Sequence, residues 1–109
     1  MTILPRGLFG GGYSVINIIE YIDITSTGNS TDFGDLTAGR YNLAACANST
    51  RGLFGGGNSG AATNVIDYVT IASAGNATDF GDLTVARFGL AACSNATRGL
   101  FSGGYSVLN

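Results

Sequence analysis

Histidine, lysine and tryptophan are missing from this 109-residue chain, proline occurs once, and charge is confined to five Arg and seven acidic residues. Each absence excludes something. Without His there can be no Cys–His nucleophile pair, and without His or Lys no base of those types can be tuned to neutral pH. The remaining carboxylates recur at repeated positions instead of forming a unique pair, so no catalytic residues, cofactor or metal are expected. A net charge of −2 with no basic cluster excludes an electrostatic footprint for nucleic acid. The most apolar stretch, Val15 to Ile24, is too short to span a bilayer and is broken by Asn17, Glu20 and Asp23, so no membrane span is expected. The opening Met-Thr-Ile-Leu-Pro-Arg-Gly lacks the charged, apolar and small-residue regions of a signal peptide.

What is present points to one class. Eighteen Gly accompany five Tyr, six Phe and short runs of Val, Ile and Thr. Gly supplies the positive φ angles of tight turns, while β-branched and aromatic side chains suit a pleated surface. An all-β fold is expected. Disorder is not, because the mean hydropathy is +0.27 and charged residues are few.

The chain repeats itself. Residues 18–50 align with residues 65–97, sharing Gly-Asn-x-Thr-Asp-Phe-Gly-Asp-Leu-Thr, then Arg, then Leu-Ala-Ala-Cys-x-Asn-x-Thr-Arg-Gly-Leu-Phe. Arg-Gly-Leu-Phe occurs three times, starting at Arg6, Arg51 and Arg98, with the first interval two residues shorter than the 47 of the second. The repeats therefore run from about 6 to 50 and from about 51 to 97, with a partial third over about 98–109. One unit contains four strand candidates: Leu43 to Ala47 and Gly52 to Gly55, both expected to be almost fully buried, then Asn64 to Ala72 with apolar residues on both faces, then Asp79 to Thr84. Four short strands joined by turns describe an antiparallel meander. A sheet apolar on both faces must be sandwiched by similar sheets, which at this period indicates a β-propeller blade.

The landmarks Arg40, Leu43 to Cys46, Leu53-Phe54-Gly55-Gly56, Tyr68, Phe80, Leu83 and Arg87 resemble the kelch motif over nearly the whole chain. Phe33 and Phe80 stand where kelch repeats usually carry Trp. The wording Gly-Asn-Ala-Thr-Asp-Phe-Gly-Asp-Leu-Thr is similar to kelch-like repeats in large virion proteins of marine tailed phages. That resemblance implies about two four-stranded blades per chain, a virion or extracellular location, and a structural or receptor-binding role. The alternative it leaves open is a free-standing kelch-type interaction or lectin-like module. A galactose-oxidase-type enzyme shares the architecture but needs His ligands for copper, which this chain lacks.

Propellers have four to eight blades, and two leave apolar faces and strand edges bare. Copies of the chain are therefore expected to complete a ring, three for six blades or next four for eight, with docking on a larger propeller or an open-ended stack as the competing arrangements. The repeat begins and stops at a second strand, so neighbouring chains could combine strands into one blade, with one Arg-Gly-Leu-Phe segment in surplus at each junction. Other virion proteins or a host-surface glycan are further partners that the resemblance suggests.

Candidate sites follow from position in the repeat. Arg40 and Arg87 are read as structural inter-blade groups, bonded to a neighbouring carbonyl or to carboxylates such as Asp32 and Asp79, in preference to anion or glycan contacts. Asn29, Asp32 and Asp35, like Asn76, Asp79 and Asp82, are spaced for a calcium loop but lack its density of carboxylates, so turn capping is expected. Asn-x-Ser/Thr triplets at Asn29, Asn48, Asn76 and Asn95 are explained the same way. Cys46 and Cys93 occupy equivalent positions and are read as buried, reduced and structural, too far apart to bridge. The segment after the glycines diverges most between repeats: Tyr13 and Ser14 in one copy, Asn58 and Ser59 in the next, Tyr105 in the third. Repeat scaffolds place specificity in such loops, so a ligand, if one is bound, is expected there.

Overall fold

The computed structural model describes residues 5–106. They form nine β-strands, and the described residues contain no helix. The strands make three antiparallel sheets. The first comprises β1 (Arg6–Gly10), β2 (Ile18–Asp23) and β3 (Thr31–Asp35), in that order. The second comprises β4 (Ala44–Ala47), β5 (Arg51–Gly55), β6 (Val65–Thr70) and β7 (Thr78–Asp82). The third pairs β8 (Ala91–Ser94) with β9 (Gly99–Ser102). The four expected strands of one repeat unit are all present in the second sheet. The first sheet has the last three of them and the third sheet the first two. The part of the partial third repeat over 107–109 lies outside the described residues.

Register follows the repeat. Arg6 faces Asp23 and Arg51 faces Thr70 across equivalent ladders. Both copies shift register at the same place, between Ile19 and Glu20 and between Ile66 and Asp67. Such a bulge re-aims the side chains that flank it, and the acidic residue of each bulge becomes important below. Turn chemistry is also repeated: Asn48 Oδ1 accepts from the backbone N–H groups of Thr50 and Arg51, and Asn95 Oδ1 from those of Thr97 and Arg98, at 2.8–2.9 Å. These are the caps expected of Asn at a tight turn.

The main core lies between the first and second sheets: Ile19, Phe33 and Leu36 from one side meet Phe54 and Val69 from the other. A second cluster of Ile66, Leu83 and Leu90 links the second sheet to the third, with Phe101 packed on it. Two expectations about burial need correction. β4 alternates half-buried Ala44 and Cys46 with exposed Ala45 and Ala47, because it is an edge strand covered on one face only. Cys93 is exposed where Cys46 is half-buried. The third sheet lies over Cys46, close enough that a Cβ on Gly99 would stand 3.0 Å from its Sγ, and among the described residues no further sheet covers Cys93.

Candidate functional site: the junction between sheets

The closest-built polar site joins the first sheet to the second. Arg40, in the segment between β3 and β4, and Asp67, on β6, are both completely buried and form an ion pair at 3.1 Å. Arg40 also donates through Nη2 to the Phe54 carbonyl at 3.1 Å and through Nη1 to the Ala38 carbonyl at 3.3 Å. Thr37 adds two donors to the same carboxylate, its backbone N–H at 3.0 Å and its hydroxyl at 2.8 Å. A buried charge is tolerable only when its hydrogen-bonding capacity is so occupied. The guanidinium Nε of Arg40 is the one atom of the cluster left without a partner.

Around this pair the two sheets interlock at three further places. Arg6 donates to the Ile71 carbonyl at 2.8 Å while its guanidinium lies 4.4 Å from the Tyr21 ring centroid. The turn after β6 docks on the end of β3, where the Asp35 N–H donates to Asn76 Oδ1 at 3.0 Å and Ala77 N–H to the Asp35 carbonyl at 2.8 Å. Gly34 makes this approach possible: a Cβ there would collide with the Gly75 carbonyl and sit 2.9 Å from Asn76 N. On the inner side the Phe54 ring covers Gly10, where a Cβ would stand 2.7 Å away.

The second-to-third junction repeats half of this. Phe101 covers Gly55 as Phe54 covers Gly10. Arg87 donates to the Phe101 carbonyl at 3.2 Å and to the Val85 carbonyl at 3.3 Å, the counterparts of both carbonyl bonds of Arg40. It has no carboxylate, the Arg40–Asp67 pair being the one salt bridge among the described residues. Among the described residues the third sheet has no strand in the position of β6, which carries Asp67 in the second. Gly81, the counterpart of Gly34, has nothing within 4 Å of a Cβ position. Phe80 is 51% exposed where its counterpart Phe33 is 3% exposed.

Arg40 and Arg87 thus both bond neighbouring carbonyls. The carboxylate that Arg40 finds is Asp67, whereas Asp32 and Asp79 are exposed on their strands and pair with neither Arg. The signal for Asp67 in the sequence is an acid inside an otherwise apolar strand, at the position Glu20 holds in the first repeat. Asn76 caps the neighbouring sheet instead of its own turn. Among the described residues no group of three or more His, Cys, Asp or Glu side chains is placed to hold a metal ion.

The divergent loop segments adjoin the backbone of the junction arginines: Arg40 N–H donates to the Ile16 carbonyl at 3.1 Å and Arg87 N–H to the Thr63 carbonyl at 3.2 Å. Tyr13 is 85% exposed, and its ring lies 6.2 Å from that of Tyr41. Ser14 and Val15 follow at φ +73° and +60°, the second a strained value for a β-branched residue. Asn58 exchanges backbone hydrogen bonds with Tyr41 and caps Gly60 N–H, leaving Ser59 exposed. Tyr105 occupies the Asn58 position and exchanges the same backbone bonds with Phe88, their rings 5.3 Å apart. Tyr13 and Asn58 therefore share the Tyr41 neighbourhood, and Tyr105 belongs to the next one.

Of the two thiols, burial pushes that of Cys46 above its ordinary pKa, so less of it is thiolate at neutral pH. Comparison with protein-family models and with curated proteins finds no match to the chain.

Proposed function

We propose that this chain is a non-catalytic structural module that assembles with copies of itself through kelch-like β-propeller blades, as a structural or receptor-binding component of a phage particle. The observation that carries the assembly reading is the contrast between Phe33 and Phe80: the same residue in the same strand is covered at one junction and half-exposed at the other. Phe9 gives the matching contrast on the opposite side, 59% exposed where its counterpart Phe54 is 3% exposed. Covering both rings would contribute roughly 2–3 kcal/mol from apolar area alone. The two bare faces differ, so the contact between copies is head-to-tail, and such a contact closes into a ring when the rotation per copy allows. Two blades per copy favour three copies and six blades, then four copies and eight.

The absence of His and Lys supports a non-catalytic role. The phage setting is supported by the resemblance of the repeated wording alone. For a receptor or host-surface glycan, the support is the loop segments, where exposed Tyr13 and Tyr105 offer aromatic surface with polar tips and Ser14 and Ser59 offer exposed hydroxyls. Native mass measurement tests the assembly: the expected species is three or four times the 11.0 kDa chain, appearing as rings in electron micrographs. A monodisperse monomer at all concentrations refutes it.

A further inference from the structure

The first-to-second junction is an occupied copy of the site that the second-to-third junction leaves half-built. Arg40 and Thr37 hold the carboxylate of Asp67. Arg87 and Thr84 stand in the same repeat positions, and Arg87 already makes both carbonyl bonds of its counterpart. What the site needs is a carboxylate on a strand of the β2 or β6 type. The chain has one other such group: Glu20 on β2 occupies the Asp67 position, follows the same register shift, and is exposed, accepting only from the Ser30 hydroxyl at 2.8 Å.

We propose that Glu20 of a second copy of this chain enters the cradle formed by Arg87 and Thr84, its β1–β3 sheet completing the strand set begun by β8. This rests on the assembly reading above and names the groups that make the contact. Charge complementarity is one argument, and the repeat supplies others. Gly81 is open where Gly34 is filled by the Gly75 turn, so the equivalent Gly28–Asn29 turn of the incoming copy fits there, with Asn29 accepting from Asp82 N–H as Asn76 does from Asp35. Arg51 lies 4.4 Å from the Tyr68 ring centroid, as Arg6 does from Tyr21, but lacks the carbonyl that Ile71 gives Arg6. Its counterpart in the incoming copy is the carbonyl of Ile24.

The repeat also decides which of two competing strands stays. β9 and the incoming β1 share Gly-Leu-Phe and claim the same place beside β8. The residue after Phe is Gly10 in β1 but Ser102 in β9. In the incoming copy that residue must lie under the Phe54 ring, where a Cβ at Gly10 would be 2.7 Å from it. Gly10 fits and Ser102 does not, so β1 of the incoming copy replaces β9, and its Phe9 takes over from Phe101 both the place against Gly55 and the carbonyl bond to Arg87.

The test is a double-substitution cycle on self-association, read by sedimentation over a range of concentrations. Glu20→Gln and Arg87→Gln each weaken association about 100-fold or more, as expected for breaking a desolvated ion pair, and the double variant loses little beyond either single one. Phe9→Ser also weakens association. Because Glu20 and Phe9 are exposed in the single chain, their variants keep its circular dichroism. If the wild-type chain associates while the two Gln variants do so equally well, or their effects simply multiply, the Glu20–Arg87 contact is refuted and assembly stands. An unaffected Phe9→Ser overturns the replacement of β9. A wild-type chain that stays monomeric overturns both readings.

Discussion

Replacing Asp67 by Ala removes the one carboxylate that neutralises a fully buried guanidinium. Arg40 would keep its bonds to the Phe54 and Ala38 carbonyls, but its charge would be uncompensated, and Thr37 would lose the acceptor of both its N–H and its hydroxyl. Breaking a buried pair from one side typically costs about 3–5 kcal/mol. For a domain of this size that approaches half of the total stability and lowers the melting temperature by roughly 12 °C or more. Arg87→Ala is the internal control. It removes an equivalent Arg with two carbonyl bonds but no carboxylate, and Arg87 is only half-buried, so its cost in the single chain is about 1–2 kcal/mol. Urea titrations followed by far-ultraviolet circular dichroism, at concentrations where the chain is monomeric, compare the two. Replacing both Arg40 and Asp67 by apolar residues of similar volume should recover part of the loss, since the desolvation cost of both charges disappears together. Equal costs for Asp67→Ala and Arg87→Ala, or a cost below about 1 kcal/mol for the former, would refute the argument that the buried pair holds the first two sheets together.

Gly34→Ala and Gly81→Ala share a backbone penalty, since φ is +155° and +154° at the two positions, but only the first drives a methyl group into a neighbouring backbone. Gly34→Ala is therefore expected to destabilise the single chain by at least about 2 kcal/mol more than Gly81→Ala in the same denaturation assay, and equal effects would contradict the close approach of β3 to the Gly75 turn. The two thiols should differ in alkylation: iodoacetamide at neutral pH is expected to modify Cys93 first, because Cys93 is exposed while Cys46 is half-buried with a raised pKa. Peptide mapping after brief labelling gives the order, and faster labelling of Cys46 would contradict it.

The strands and their turns were legible in the sequence because they depend on local chemistry repeated in register. The Arg-Gly-Leu-Phe segments, the Asn caps at Asn48 and Asn95, and the apolar run of β6 each declare themselves within a few residues. The grouping of strands was legible too, since antiparallel neighbours follow one another along the chain. What was not legible depends on which sheet lies against which. Asp32 and Asp79 stand out in the sequence because they recur beside Phe and Gly, yet a strand exposes every second residue, and theirs falls outward. Asp67 is less conspicuous, a single acid amid Val, Ile and Tyr, and its role appears only when the register shift at Ile66 turns it toward Arg40 of the segment before. Cys93 shows the same limit from the other side. Its run of small apolar residues matches that of Cys46, but burial is a property of what covers a strand.

Because the repeats are so alike, the chain supplies its own controls for the effect of a neighbour. Phe33 and Phe80 belong to the same Thr-Asp-Phe-Gly-Asp strand, and their rings lie edge-on to Tyr21 and Tyr68 at 5.8 and 6.0 Å. Local structure is thus the same in both. The difference in exposure comes from Val69 and Ala77 of the second sheet, which join the core around Phe33 and have no counterparts around Phe80. The same comparison separates Arg40 from Arg87 and Gly34 from Gly81, each time with the second member lacking a contact that the first makes. Phe80, Gly81 and Arg87 of the open junction match Phe33, Gly34 and Arg40 of the closed one, while Val85, Ala86 and Ser102 replace Ala38, Gly39 and Gly55.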